Sequence, residues 1–173
     1  IRNAMIVHAA CGGSTNLIIH LTAIAYHAGL PRPQVEDWDD VNRLVPRIVD
    51  VLPNGPKNHT TAQLFLAGGV PEIMIKLRDN NLLDLDVLTV SGQTLGENLS
   101  QWESSIRRSR FQEKLYELDG IRANEVIMDF DQASAKGLTS TICFPTGNLA
   151  PNGSVVKSTS IDPSVIDSDG IYR

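Results

Sequence analysis

The sequence predicts an α/β fold that runs into a β-rich segment near its carboxyl end. Helix-periodic apolar stretches, the clearest at residues 17–28, alternate with short β-branched stretches such as residues 48–52. Turn signals built from Gly, Pro and Asn separate these stretches. From residue 125 onward, β-forming residues replace the helical periodicity. We therefore expect an α/β unit over residues 1–125 and the opening strands of a β-rich unit over residues 126–173.

The composition and charge limit the classes of protein to which the chain can belong. It has 173 residues, 42% of them hydrophobic, and a formal net charge of −5 with Lys and Arg scattered along its length. We therefore do not expect a broad basic surface for nucleic acid. The sequence contains no run of about 18 apolar residues and no signal-peptide pattern, which argues against membrane insertion and secretion. The two cysteines form no CxxC spacing, so we predict reduced thiols and a cytoplasmic protein.

The first half of the chain predicts mainly helices. Residues 3–10 suit a buried helix or strand, and periodicity alone does not decide between the two. Residues 17–28 form a helix that Ser14 or Thr15 can cap and that Gly29 can close. The elements that follow are an amphipathic helix at residues 35–45, a short strand at 48–52, a loop at 53–59, a helix from Thr60 or Thr61 to Gly68, and a helix from Pro71 through Leu77.

The second half of the chain predicts a helical stretch followed by strands. The elements are a strand at residues 85–90, a helix opened by the Thr94-x-x-Glu97 capping box, an Arg-rich helix with a solvated charged face ending at Gly120, strands at 126–128, 139–144 and 154–161, and turns at 162–163 and 167–170.

The start of the chain predicts that the sequence is part of a longer protein. Because the chain lacks an initiator Met and opens inside an apolar pattern, we expect an internal piece of such a protein.

One segment, Gly12-Gly13-Ser14-Thr15-Asn16, is the main candidate for a binding site, and we call it the Gly-Gly turn. Two glycines, three small polar residues and then an amphipathic helix can aim free N–H groups and hydroxyls at an anion. The alternative is a tight turn with an ordinary helix cap. The segment lacks the Gly-Lys-Ser/Thr ending of a Walker loop and the spacing of a GxGxxG fingerprint.

The sequence provides no catalytic or metal-binding residue that we can assign. A cluster needs three or four converging thiolates, which Cys11 cannot supply alone, so we expect Cys11 and Cys143 to be structural, with Cys143 in core packing. The acidic residues fall at helix starts and turns. The loop at residues 53–59 precedes a helix N-terminus, which makes His59 a second candidate for contact with a polar ligand.

Four motifs, taken together and in order, resemble the dihydroxy-acid dehydratase and phosphogluconate dehydratase family, and they extend over nearly the whole chain. The text between them is most similar to the sugar-acid branch, the pentonate or xylonate-type dehydratases. The motifs are Gly12-Gly13-Ser14-Thr15-Asn16 with His20 and Leu21, Ala67-Gly68-Gly69-Val70-Pro71, Ser91-Gly92-Gln93-Thr94-Leu95-Gly96-Glu97-Asn98, and Gly147-Asn148-Leu149-Ala150-Pro151 with Gly153-Ser154-Val155-Val156-Lys157.

The resemblance implies a hydro-lyase that dehydrates a sugar acid, a 2,3-dihydroxy acid such as xylonate, to a 2-keto-3-deoxy acid. An iron–sulfur cluster would act on the departing hydroxyl, Mg²⁺ would hold the carboxylate end, and a base would remove the C2 proton. The family's cluster cysteines and most magnesium ligands lie upstream of its Gly-Gly-Ser-Thr-Asn motif, and its proposed serine base lies downstream of the Asn-Leu-Ala-Pro segment. None of these residues can be assigned to this chain, so we expect the chain alone to be inactive.

The same resemblance implies a place for the chain in the longer protein. The chain would be the end of an amino-terminal α/β catalytic domain running into the first strands of a β-barrel-like carboxy-terminal domain of a homo-oligomer, a dimer or tetramer. Ser14, Thr15, Asn16 and His59 would contact the sugar acid, although a solvated loop remains an alternative for His59. The alternative functions are a branched-chain dihydroxy-acid dehydratase and a non-catalytic binding or assembly module with an anion site.

Overall fold

A computed structural model describes residues 1–165 and 167–168, so the predicted turn at residues 167–170 lies only partly within the described residues and the chain end lies outside them. The described part of the chain forms helices joined by loops, the longest at residues 45–60 and 80–94, with one small antiparallel sheet. The α-helices are α1 (Arg2–Cys11), α2 (Asn16–His27), α3 (Val35–Leu44), α4 (Thr61–Leu66), α5 (Gly69–Asp79), α6 (Leu95–Glu103), α7 (Ile106–Asp119), α8 (Ala123–Val126) and α9 (Phe130–Ala135). The strands are β1 (Ile142–Cys143) and β2 (Val156–Lys157), and 3₁₀ turns span Ser158–Ser160 and Pro163–Val165.

The helices agree with the sequence prediction where local signals were strong. Residues 3–10 are helical, and the predicted helix at residues 17–28 is α2. The capping box at the start of α6 is confirmed, because Glu97 N donates to Thr94 Oγ1 over 3.2 Å and Thr94 N donates to Glu97 Oε2 over 2.7 Å. The mixture of helices with a small sheet is consistent with an α/β fold. The β-barrel-like domain and the division at residue 125 stay predictions.

Several predicted strands are shorter than expected or absent. Residues 48–50 and 126–128 pair with each other through Asp50 N to Val126 O at 2.9 Å and Met128 N to Ile48 O at 2.8 Å, but the pairing makes one isolated bridge. Residues 85–90 are mostly irregular and have one isolated bridge, from Leu88 to Thr94, instead of the predicted strand. Residues 154–161 contain β2 and then a 3₁₀ turn. A strand needs a hydrogen-bonded neighbouring strand along several residues. Each of these segments pairs with a neighbour at only one or two residues.

The core forms where α1, α3, α5 and α7 pack around residues 48–49 and 126–127. Burial of each large apolar side chain contributes about 1.5–3 kcal/mol relative to exposure. Residues 126, 127, 142 and 144 belong to the same buried cluster as α1. The largest fully buried side chains are Trp38, Ile6, Ile48, Ile73, Leu77, Leu115, Ile127 and Met128.

An ion pair joins α5 to α7 beside this core. Arg108 Nε and Nη2 donate to the two carboxylate oxygens of Glu72, each over 2.7 Å, and Glu72 is buried. The prediction that the charged residues of the Arg-rich helix, α7, form a solvated face is therefore wrong for Arg108. A Cβ atom at Gly68 would lie 2.7 Å from the Cβ atom of Glu72. The position before α5 therefore has no room for a side chain.

Helix α2 is much less buried than its apolar sequence suggests. Leu21 and Ala25 are buried, but Ile19 is 70% exposed and Ile24 is 55% exposed. Its apolar face therefore lacks a complete partner among the described residues. None of the helices in this part of the chain has the length and apolar character needed to cross a bilayer.

Candidate functional site

The Gly-Gly turn connects the buried helix α1 to the exposed helix α2. Gly12 ends α1 in the left-handed conformation, with φ 64° and ψ 48°. A side chain there would be strained and would also lie 3.1 Å from Arg47 Cδ and 3.2 Å from Thr141 Cγ2. At Gly13, a Cβ atom would lie 2.2 Å from Cδ2 of His8. Both glycines are therefore required by the groups around them.

Three consecutive carbonyl groups of the turn contact side chains from three separate segments. Asn54 Nδ2 donates to the Gly12 carbonyl oxygen over 2.6 Å. Lys157 Nζ lies 3.5 Å from the Gly13 carbonyl oxygen, and His8 Nε2 lies 2.8 Å from that of Ser14. A carbonyl oxygen can only accept, so all three side chains act as donors. The backbone of the turn is thus fixed by α1, by the loop at residues 53–59 and by β2.

The amide groups of the turn are less occupied than its carbonyls. Among residues 1–165 and 167–168, neither Ser14 N nor Thr15 N has a hydrogen-bond acceptor, whereas Asn16 N donates to Ser14 Oγ over 3.2 Å. Ser14 and Asn16 are exposed, and Thr15 is half-buried without a capping bond of its own. Two unpaired N–H groups at the positive end of the 12-residue helix α2 can bind an anion or a hydroxyl oxygen.

A groove of about 670 Å³ runs beside the turn and is lined in part by Gly13 and Ser14. Most of its other lining residues are apolar, among them Val7, Leu17 and Met74. Cys11 also lines it, and burial raises the pKa of this thiol to about 12, so the group is neutral at physiological pH. The groove is therefore mostly apolar, and its polar lining comes from the turn together with His8 and Asn3.

The loop at residues 53–59 reaches the Gly-Gly turn, but through Asn54 and not through His59. The buried carboxylate of Asp50 accepts from Lys57 N over 3.0 Å and Asn58 N over 3.1 Å, which fixes the loop. His59 is buried, and its backbone pairs with Val51. It does not line the groove beside Ser14. The substrate contacts predicted for Ser14, Thr15, Asn16 and His59 stay predictions.

The sequence analysis missed a set of buried polar side chains around the turn. His8 and Thr141 are almost fully buried, and Arg47 is 7% exposed. Burial lowers the pKa of the Arg47 guanidinium, while the charge of Asp50 raises it. His8 could have been identified from its position among the apolar residues of α1, because a polar residue on a buried helix face is uncommon and therefore informative.

The described residues do not fit an iron–sulfur cluster or a metal site of three or more ligands. Residues 1–165 and 167–168 contain no group of three or more His, Cys, Asp or Glu side chains that could hold a metal ion. Cys11 is a neutral buried thiol, and Cys143 is exposed in β1, so its predicted place in the core is wrong. The location of the cofactor ligands stays a prediction.

Comparisons with known proteins agree with the motifs of the chain. Residues 1–98 match the sequence profile described as dihydroxy-acid/6-phosphogluconate dehydratase N-terminal. The D-xylonate dehydratases YagF and YjhG of Escherichia coli K12 are each 60% identical, over 173 residues and 172 residues, and the matches cover 100% and 99% of this chain. A dihydroxy-acid dehydratase of Solidesulfovibrio magneticus is 35% identical over 173 residues. The chain spans about a quarter of the length of these relatives, 26% of the first two and 27% of the third.

Proposed function

The chain belongs to the dihydroxy-acid/6-phosphogluconate dehydratase family, and on that premise we propose that it is part of a hydro-lyase acting on a sugar acid. The substrate would be a pentonate such as xylonate, and the product a 2-keto-3-deoxy acid. The observation that carries this proposal is the 60% identity to two D-xylonate dehydratases over essentially the whole chain. The 35% identity to a dihydroxy-acid dehydratase makes dehydration of a branched-chain dihydroxy acid the second candidate.

In this proposal the Gly-Gly turn contributes binding and not chemistry. The Ser14 and Thr15 N–H groups would donate to a carboxylate or hydroxyl oxygen of the sugar acid. The Ser14 and Thr15 hydroxyls and the Asn16 amide can both donate and accept, which suits a chain of hydroxyl groups. His59 stays in the proposal as a second substrate-binding residue, although it does not line the groove beside Ser14. Its imidazole Nε2 has no partner among residues 1–165 and 167–168.

The chemistry of the reaction explains why these groups are not sufficient. Dehydration removes a proton from C2 and hydroxide from C3, and the resulting enol rearranges to the 2-keto acid. An iron–sulfur cluster would supply a Lewis acid for the hydroxide, and Mg²⁺ would hold the carboxylate. Because the described residues do not fit either group, we propose that their ligands and the base lie outside this chain. The chain by itself would then be inactive.

Turnover by the full-length protein tests the proposal. We expect D-xylonate to be converted with a kcat/KM well above that for a branched-chain 2,3-dihydroxy acid, and a C6 aldonate to lie between. The reverse preference would replace the proposal by the second candidate. Absence of turnover by reconstituted enzyme on all three would favour a non-catalytic binding or assembly module. We further propose a cytoplasmic protein that forms a homo-oligomer, a dimer or tetramer, and light scattering of the same preparation would check its oligomeric state.

A substitution in the turn tests its part in binding. Thr15→Val removes one hydroxyl at nearly constant volume, and we expect KM for xylonate to rise about three- to tenfold with little change in kcat, because one neutral hydrogen bond is lost. Thr22→Val is the matched control, because the Thr22 hydroxyl donates to the Ile18 carbonyl of its own helix, at 2.8 Å, and has no other partner among the described residues. Equal KM values for the two variants would remove Thr15 from the site.

A further inference from the structure

We propose that His8 is a positioning residue for the Gly-Gly turn and that its N–H group sets the direction in which the Thr15 amide points. The inference rests on the proposed function in one respect, that the turn binds the substrate. His8 is 3% exposed and is among the residues that line the groove beside the turn. The proposal gives it the role of holding the turn and not of contacting the sugar acid.

The direction of an amide follows from the planarity of the peptide bond. The carbonyl of Ser14 and the N–H of Thr15 belong to one peptide plane and point in opposite directions. His8 Nε2 contacts the Ser14 carbonyl oxygen from the side of α1, at 2.8 Å. The Thr15 N–H is thereby directed away from α1. It has no hydrogen-bond acceptor among the described residues. Leu17 N also donates to this oxygen over 3.1 Å, so His8 joins α1 to the first turn of α2.

The His8 ring has little freedom to leave this position. It packs edge-on against the buried Trp38, with ring centroids 5.4 Å apart and planes at 78°. The Cδ2 and Nε2 atoms of the ring occupy the space where a Gly13 side chain would be. The missing side chain at Gly13 thus has a role: it allows the imidazole to approach the backbone closely enough to reach Ser14.

The protonation of His8 agrees with a donor role. Since the Ser14 oxygen can only accept, Nε2 must carry the hydrogen. The lone pair of a neutral ring is then on Nδ1, which is buried without a partner in the described part of the chain. Burial lowers the pKa of His8, and the charge of Lys157 lowers it further, against the hydrogen bond to Ser14. Leaving a buried acceptor unpaired costs free energy, and within the described part of the chain the hydrogen bond to Ser14 is the one polar contact that the ring gains in return.

The test compares two substitutions at His8 in the full-length protein. His8→Gln keeps an N–H donor of similar reach, and His8→Leu keeps bulk without a donor. We expect His8→Leu to raise KM for xylonate about tenfold with a much smaller change in kcat, and His8→Gln to restore most of the loss, because one oriented hydrogen-bond donor is at stake. His27→Leu, a change at an exposed histidine of α2, is the matched control and should leave both constants unchanged.

Two further measurements keep the inference testable if His8→Leu does not fold. Gly13→Ala should push the imidazole away from Ser14 and raise KM in the same way, although His8 is intact. Hydrogen exchange followed by mass spectrometry should show faster exchange in peptides covering residues 13–17 of His8→Leu or Gly13→Ala than of His8→Gln. Unchanged exchange and KM in Gly13→Ala, or equal losses in His8→Gln and His8→Leu, would overturn the inference. If the wild type converts no sugar acid, the proposed function fails, while the exchange rates still decide whether His8 fixes the turn.

Discussion

The two helices that flank the Gly-Gly turn have similar apolar patterns but very different surroundings. Helix α1 buries five of its ten residues, including Ile6 at 1% exposure. Helix α2 is longer, with 12 residues. The three residues after Asn16 are Leu17, Ile18 and Ile19, and none of them is fully buried. Ile19 and Ile24 are exposed to 70% and 55%. An apolar sequence therefore predicts that a helix forms, but not that its apolar face is covered within the same stretch of chain.

The difference also divides the candidate site into a fixed side and an open side. The carbonyls of residues 12–14 face α1, β2 and the loop at residues 53–59, and each contacts a side-chain donor. The N–H groups of Ser14 and Thr15 share peptide planes with the carbonyls of residues 13 and 14, so they point the opposite way. A binding segment of this kind keeps its shape without a ligand, so less conformational entropy is lost when a ligand binds.

The largest expected effect is the loss of core packing in α1. Ile6→Ala removes a side chain that is 1% exposed, and we expect the free energy of unfolding to fall by about 2–4 kcal/mol because a cavity is left. Ile24→Ala in α2 is the matched control, and its cost should stay below about 0.5 kcal/mol. Urea unfolding of the 173-residue chain measures both. Equal losses would mean that α2 is packed as well as α1.

A smaller effect is expected where each helix ends. Gly12 and Gly29 both adopt φ near 65°, 64° and 67°, so alanine at either position costs roughly 1–2 kcal/mol in backbone strain. Of these two glycines, only Gly12 has neighbours among the described residues within 4 Å of a new Cβ. Thermal unfolding should therefore show Gly12→Ala as clearly less stable than Gly29→Ala. Equal midpoints would mean that Arg47 and Thr141 move aside without cost.

The smallest effect concerns pH. Burial lowers the pKa of His8 in the folded protein below its ordinary value of 6.5. The unfolded chain consequently binds a proton at a pH where the folded chain does not, so this contribution to stability is complete above about pH 6.5 and is lost as the pH falls. We expect wild type to lose more stability than His8→Gln between pH 7.5 and pH 5.5, as measured by urea unfolding at each pH. Parallel curves would show that His8 titrates alike in both states. His27→Gln controls for the loss of an exposed histidine.

Local chemistry explains what could be predicted from the sequence. The capping box of Thr94 and Glu97 and the helix after Asn16 depend on residues within a few positions of one another, and both are present. The strands at residues 48–52 and 85–90 were wrong in extent because strands need distant neighbours. Burial of His8 depends on Trp38, and the contact of Lys157 with Gly13 joins residues 144 positions apart. No pattern within a single stretch of sequence contains that information.

The amide of Asn54 has a consequence for the order in which the protein is completed during synthesis. Its Nδ2 donates to Gly12, 42 positions earlier, and its Oδ1 accepts from Thr159, 105 positions later, over 2.8 Å. A ribosome adds residues one at a time from the amino terminus. Helices α1 and α2 can therefore form early, but the Gly-Gly turn gains its full set of contacts only after residue 159 has been made. The segment proposed to bind substrate is thus among the last parts of this chain to reach its final structure, although it lies near the beginning of the sequence.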